Sequence, residues 1–366
     1  MYSYLKTSAI ILLLLSIIPF VAHAQRPDDS DEKGCKLNLN LAEDKYKNGQ
    51  IDEVIDLIKP CVQGNSNLNK QDKIRMYKLL IITYLYLNEH EEASIYMKDF
   101  LSLNPEYQVE PNVDPSEFID LFYQFRTRPV AILGLKVGVN SSLVNVRENY
   151  SLDNSNTALG TYSTVLGYNA TFSAEFPLSK HFSVATGLVF SHNSFDYTAR
   201  QFGYSVVGVK ESMLFIGIPL NARFNFTKDD FRLYFQLGAT ANRLLSAHAT
   251  LARLDSLNQD LGIQSVVGPT EEVLDQREQY SFSAQAALGF HWKNLIGKGY
   301  LMFEIGYSYG LNNLVRTESR YDNTNLIYKY NYIPNDFSLN QLTIDLGYAI
   351  PIYKPKKLKN KKSKNL

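Results

Sequence analysis

The sequence predicts a two-part fold: an N-terminal α-helical region of tetratricopeptide-like repeats, then an eight-stranded antiparallel transmembrane β-barrel. Three observations predict it. The apolar period is helical over residues 35–126 and changes to two after Arg128, where it stays to the end. Eight segments with the shorter period are joined by connections that alternate between short and long. Along these segments the large apolar side chains share one face and the small or polar ones share the other.

The chain opens "MYSYLKTSAIILLLLSIIPFVAHAQ". Lys6, the apolar run Ile10–Ile18 and the small-residue site Ala22-His23-Ala24 read as a secretory signal peptide over residues 1–24, with a mature start near Gln25. No Cys stands just after the site, so a lipoprotein anchor is not expected. No other stretch reaches the roughly 18–20 apolar residues that a spanning helix needs.

Composition narrows the function classes. Lys+Arg and Asp+Glu both number 37, so no net charge favours a nucleic-acid partner. There are 25 tyrosines and 20 phenylalanines against a single tryptophan, and most of this aromatic load follows residue 150.

Residues 25–128 form the helical part. "LNLAEDKYKNGQIDEVIDLIKPC" reads as helix, Gly49 turn, helix, and "KIRMYKLLIITYLYLNEHEEASIYMKDFLSLNP" repeats that plan. Ile74, Tyr77, Ile81 and Tyr84 mark one stripe at helical spacing. Asp52-Glu53-Val54 aligns with Glu91-Glu92-Ala93 at an offset of 39. Two tetratricopeptide-type repeats fit this pattern; a generic bundle of helical hairpins has the same periodicity. "DPSEFIDLFYQF" supplies a capping helix, with Asp114 or Ser116 as its N-cap. Cys35 opens the first helix and Cys61 closes the second, so antiparallel packing brings them together. A Cys35–Cys61 disulfide is expected in an exported chain, ahead of two free thiols or a zinc site. Tyr46, Tyr84 and Tyr96 are the expected lining of a two-repeat partner groove.

The barrel occupies residues 129–353, with strands near 131–146, 162–176, 182–198, 210–226, 231–249, 280–293, 300–315 and 339–353. "PLSK", "TKDD" and "LIGKG" are tight turns. Residues 148–160, 200–209, 250–278 and 317–337 are long and polar. Short turns at one end and long loops at the other mark an outer-membrane barrel. Leu166, Tyr168, Phe172 and Phe176 share one face with Leu214, Ile216, Ile218 and Leu220 of another strand. Opposite them stand Asn169, Thr171, Ser173 and Glu175, and Asn221 and Arg223. A soluble barrel buries its apolar face, whereas a barrel in lipid turns that face outward.

The last strand, "LTIDLGYAIPIY", places Asp345 on the inward face beside Thr343 and Gly347. A small barrel has a lumen that side chains fill, and charges there must pair. Lys136 and Arg223 face Glu175, Glu304 and Asp345, with His291 nearby, so these five charges are expected to form one lumen network. A proton or ion path through the same residues is the alternative.

"AILGLKVGVNSS", "ESMLFIGIPLNARFNF", "YFQLGAT" and "IDLGYAIPIY" resemble the PorT-like outer-membrane β-barrel family of Bacteroidota, over about residues 130–353. The resemblance implies an eight-stranded barrel with both ends in the periplasm, and some relatives serve type IX secretion and gliding. The helical front half is not part of the family pattern. "KPKKLKNKKSKNL", residues 354–366, is then a basic periplasmic tail, either solvated or in contact with anionic headgroups or cell-wall polymer.

No catalytic residues, metal or cofactor are expected. No GxSxG, P-loop, HExxH or dinucleotide fingerprint occurs in a supporting context. Of His90, His181, His192, His248 and His291, His192 and His248 lie toward the outer side, and His192 has Ser191 and Ser194 beside it. The expectation is a non-enzymatic barrel, in contact with outer-membrane lipid, that holds a periplasmic or envelope protein partner. A surface receptor or adhesin acting through the long loops is the second reading, and a lipid-modifying enzyme the third.

Overall fold

The computed structural model describes residues 29–64, 68–153, 160–228, 230–256, 263–293, 295 and 299–358. The expected signal peptide and most of the lysine-rich end lie outside these residues. The chain forms two compact units, Met1–Thr127 with Pro355–Leu366, and Arg128–Lys354. None of the described helices is long and apolar enough to cross a membrane.

The first unit holds α1 (Asp29–Lys47), α2 (Ile51–Gln63), α3 (Lys70–Tyr86), α4 (His90–Leu103) and α5 (Ser116–Tyr123). The 39-residue offset in the sequence is an offset of structure too. The link after α1 turns on Gly49 (φ 79°) and the link after α3 turns on Asn88 (φ 64°). The hydrogen bonds correspond one by one. The Gln50 amide donates to Lys45 O and the Glu89 amide to Tyr84 O; the Gly49 amide donates to Tyr46 O and the Asn88 amide to Leu85 O. Both turns close a helix by a left-handed residue, which glycine and asparagine tolerate best. Val54, Ile58, Leu80, Ile81, Met97 and Phe100 fill the core between the helices.

Neither expected N-cap of α5 serves as one. Pro115 holds the cap position, with no side-chain cap. Asp114 is buried instead, where it accepts from Tyr107 Oη at 2.8 Å and pairs with Lys78.

The expected free tail is partly bound. Within the first unit Lys357 forms an antiparallel bridge with Phe125. The Arg126 amide donates to Lys356 O at 3.0 Å, and the Leu358 amide to Gln124 O at 2.7 Å. The start of the basic segment therefore belongs to the helical unit.

The second unit is a closed antiparallel barrel. Its strands are β1 (Ala131–Glu148), β2 (Thr161–Pro177), β3 (Phe182–Gln201), β4 (Ser205–Lys228), β5 (Phe231–Ser256), β6 (Ile263–Glu272), β7 (Tyr280–Lys293), β8 (Tyr300–Gly310) and β9 (Asp336–Ile352). Eight of them close the barrel in the order β1-β2-β3-β4-β5-β7-β8-β9, and β9 pairs back to β1. β6 stands outside that ring and pairs only with the far half of β5, from His248 to Ser256. It lies within a stretch expected as loop. The expected loop at 200–209 is a tight hairpin that turns on Phe202 and Gly203, both at positive φ.

Strand length divides the barrel. β8 has 11 residues, close to the 9–11 that cross a bilayer, whereas β4 has 24 and β5 has 26. The long strands project at the end remote from the start of β1 and the finish of β9, the distal end. There the inward face changes character. Residues with odd numbers point inward along β4 from Ser205 to Asn225. From Gly217 to Asn225 these are small or polar, and from Phe215 back to Val207 they are apolar except for Glu211. The outward residues change in the opposite sense, from Leu220, Ile218, Ile216 and Leu214 to Ser212 and Lys210. One strand thus serves a polar lumen inside an apolar belt, then an apolar core inside a polar surface. The distal core includes Phe195, Val207, Met213, Leu251, Leu326 and Phe337.

Candidate functional site: the barrel interior

The inward residues lie in layers along the barrel axis. Nearest the ends of the strands that carry both connections, Ile132, Tyr300, Met302 and Ala349 form a small apolar cluster. The charges come next. Lys136 Nζ lies 2.6 Å from Glu304 Oε1 and 3.9 Å from Asp345 Oδ2. Arg223 reaches Glu175 Oε2 at 3.0 Å and Glu304 Oε2 at 3.4 Å. All five lumen charges expected from the sequence therefore face one another, each 5% exposed or less.

The structure adds four members to this set. Arg232 pairs with Glu175, so three bases meet three acids where the sequence reading had two against three. Tyr234 Oη donates to Glu304 Oε2 at 2.5 Å, and Gln236 Nε2 donates to Glu304 Oε1 at 3.2 Å. Asn169 Nδ2 donates to Asp345 Oδ1 at 2.5 Å. The Arg223 guanidinium also lies over the Tyr234 ring, 4.5 Å from its centroid. Arg232 shares the parity of Tyr234 and Gln236 on β5, so strand alternation alone could have placed it inward.

Glycine makes room for Asp345. Gly138 on β1 stands opposite Asp345 on β9, and a Cβ there would meet the carboxylate Oδ1. Across β8, Glu304 also stands opposite Asp345. Two like charges are thus neighbours, and Lys136 reaches both.

Beyond the charges lies a polar cavity of about 100 Å³, lined by amide and hydroxyl side chains and bounded distally by Phe215 and Leu339. The distal apolar core follows. Two buried arginines hold the segments over it. Arg277 makes a bidentate pair with Glu211 at 2.6 and 2.7 Å. Arg320 bonds Asp336 at 2.5 Å and lies 3.6 Å over the Tyr150 ring. The strand expected over 300–315 ends at Gly310, and the segment after it, expected as polar loop from 317 on, buries Leu314, Leu326, Tyr330 and Tyr332 in that core.

The histidines scatter. His291 is buried in the lumen against Tyr234 and Tyr300, with ring centroids at 5.0 and 5.8 Å. His192 stacks on Tyr168 at 4.8 Å. His181 Nδ1 lies 3.2 Å from Asn225 O.

In the helical unit Cys35 and Cys61 are bonded, with Cα atoms 5.7 Å apart. The expected partner groove is not formed by the residues named for it. Tyr84 and Tyr96 are 3% and 5% exposed and stack on each other at 5.5 Å. Tyr46 packs half-buried against the same core. A helical stripe of tyrosines looks alike in sequence whether it lines a groove or fills a core, and here it fills the core.

Residues 122–316 match the family described as outer membrane protein beta-barrel domain. The chain belongs to this outer-membrane β-barrel family. The outward apolar belt of its barrel therefore faces lipid, and the protein resides in the outer membrane. No curated protein matches the chain. Solved structures similar to it include three other barrels. Ail, the attachment invasion locus protein of Yersinia pestis, is 12% identical, with 60% of this chain and 99% of that one covered at a TM-score of 0.24. Neisserial surface protein A is 12% identical, with 60% and 97% covered at 0.28. The N-terminal β-barrel domain of Pseudomonas aeruginosa OprF is 10% identical, with 59% and 97% covered at 0.23. At these scores the likeness supports no further inference.

Proposed function

We propose that the protein is a non-enzymatic outer-membrane anchor that presents its helical unit to an envelope protein partner on the periplasmic side. The barrel end with the short turns faces the periplasm in this family of folds. The β2–β3 turn at residues 178–181 lies at the end where β1 starts and β9 finishes. The helical unit and the bound start of the basic tail then lie in the periplasm. The matched turns at Gly49 and Asn88 support helix pairs of the tetratricopeptide type, which bind partners more often than they catalyse. The PorT-like sequence features support a place in an envelope or secretion assembly.

The observation that carries this reading is on α1. Leu37 and Leu41, one turn apart, are 68% and 44% exposed, while Leu39 and Ala42 of the same helix are buried. A helix that is apolar on both faces has one face left to cover. The docking face moves accordingly from the tyrosines to this outer face of α1. The experiment is crosslinking in cells that carry the full chain, a Leu37→Glu/Leu41→Glu variant, or residues 129–366 behind the same leader. Partners captured by the full chain should be absent from both others. Equal capture by residues 129–366 would sink the reading.

A second reading, a surface receptor, draws on the distal end. Tyr328 is 80% exposed, Ile263 76% and Val267 71%. They sit on a framework held by the Arg277 and Arg320 pairs. Exposed aromatic and apolar side chains on such a framework suit recognition of another surface. If the truncated barrel keeps the partners, this end becomes the functional surface.

A further inference from the structure

We propose that the mid-barrel cavity is a binding site for a small, uncharged, hydroxyl-rich solute of the glycerol class. Four observations carry it. First, the volume, about 100 Å³, corresponds to on the order of three waters at the roughly 30 Å³ each takes in the liquid. That is about the space of a three-carbon polyol.

Second, the walls offer both donors and acceptors. Asn169, Asn221, Gln285, Thr240, Ser283 and their neighbours come from β2, β4, β5 and β7. Some of these groups engage each other: Thr240 Oγ1 donates to Gln285 Oε1 at 2.9 Å, and Gln285 Nε2 to Asn221 Oδ1 at 2.5 Å. Such a wall matches a ligand that both gives and accepts hydrogen bonds.

Third, Asn169 Oδ1 is fully buried and has no hydrogen-bond partner among the described residues, although its amide nitrogen is committed to Asp345. Asn169 itself lines the cavity and is 6% exposed. A buried acceptor left open is costly, and a small turn of the amide toward the cavity would let a donor from a bound molecule satisfy it.

Fourth, the charges at the cavity floor cancel. Glu304 and Asp345 are held by Lys136, Arg223, Tyr234 and Asn169, as above. The site offers no unpaired charge to an ion, and the desolvation cost of bringing one in is not repaid. The ligand is therefore neutral. Phe215 and Leu339 line the distal side of the cavity, opposite the ionic layer.

Threonine methyl groups give a direct test, since Thr171, Thr240 and Thr343 all line the cavity. The full-length protein, methyl-labelled at threonine in lipid nanodiscs, is examined by NMR with glycerol in one sample and glycerol 3-phosphate in another. The expected result is a set of magnetisation-transfer contacts from glycerol to these three methyls and none from the phosphate ester. The contacts should vanish in Ser283→Leu, which fills the cavity, or in Ser308→Val if the first variant fails to fold. Contacts from water alone, or equal contacts from the phosphate ester, would overturn the proposal. So would glycerol contacts that survive in the filled variant.

Discussion

Glu304 and Asp345 stand directly opposite each other on adjacent strands, two carboxylates side by side in the middle of the barrel. Like charges so placed repel. Lys136 from the strand beyond resolves the conflict, at 2.6 Å from one and 3.9 Å from the other. The inequality matters: Glu304 also holds Arg223, Tyr234 and Gln236, while the nearest partner of Asp345 is the neutral amide of Asn169.

Glu304 is therefore the hub and Asp345 a branch. Glu304→Leu leaves two buried cations short of a partner and should cost about 3–5 kcal/mol. Asp345→Leu removes one charge and one hydrogen bond and should cost distinctly less. Urea unfolding of the refolded barrel in vesicles gives the order, and a larger loss for Asp345→Leu would contradict this hierarchy.

The change of character along β4 makes a second prediction. Ile218 faces lipid and is 59% exposed from the protein. Ile218→Arg should destabilise by about 2–4 kcal/mol if it lies near the midplane. Lys210→Leu, on the same outward face but beyond the belt, should be close to neutral. Val209→Asp, inward at that level, should cost several kcal/mol because it buries an unpaired charge in an apolar core. The same unfolding assay ranks the three. Equal costs at positions 218 and 210 would remove the proposed membrane boundary.

Removal of the Cys35–Cys61 bond should destabilise the helical unit by about 2–4 kcal/mol on the loop-closure argument. Chemical denaturation of the full chain, followed by helical circular dichroism, should show the Cys35→Ser/Cys61→Ser variant melting earlier. The barrel transition should not move.

Acid and alkali should act on the helical unit through Asp114 and Lys78. Burial pushes the Asp114 carboxyl up, but hydrogen bonds from Lys78, the Glu110 amide and Tyr107 together outweigh it and hold it below its usual range. A lowered carboxyl stabilises the fold above its unfolded value, and that stability disappears as pH falls through the folded one. For Lys78, burial pushes the ammonium down, and its bonds with Asp114 and Tyr107 raise it above its ordinary value. Its contribution is present below about pH 10 and is lost as pH rises through the raised value. Asp114→Asn should flatten the acid limb of the stability profile below about pH 4. An unchanged acid limb would mean that Asp114 is not paired in solution.

Much of this arrangement was legible in the sequence. Alternation placed Asp345, Glu304 and Lys136 on one inward face because the lipid-facing residues around them are uniformly large and apolar. The distal halves of the strands were harder to read. Their period is still two, but the inward side chains change from Asn221 and Gly217 to Met213 and Val209, and periodicity does not say which face is inside. β6 was hidden because only Val266 packs against the distal core, while Ile263, Ser265, Val267 and Pro269 on its other face are exposed, so the strand carries little alternation. The tyrosines show the limit in the helical unit. Spacing put Tyr84 and Tyr96 on stripes, and only packing shows that those stripes face each other.

We propose that the barrel is an anchor, closed at both ends of its interior, and not a conduit. Apolar clusters occupy both ends of the interior, and six paired charges cross its waist. The most direct test is current through planar bilayers that hold the purified full-length protein. The account predicts no steady conductance in the native protein at any moderate voltage, and transient openings at most in Glu304→Leu, where the waist is loosened. A steady, ohmic current through the unmodified protein would contradict it.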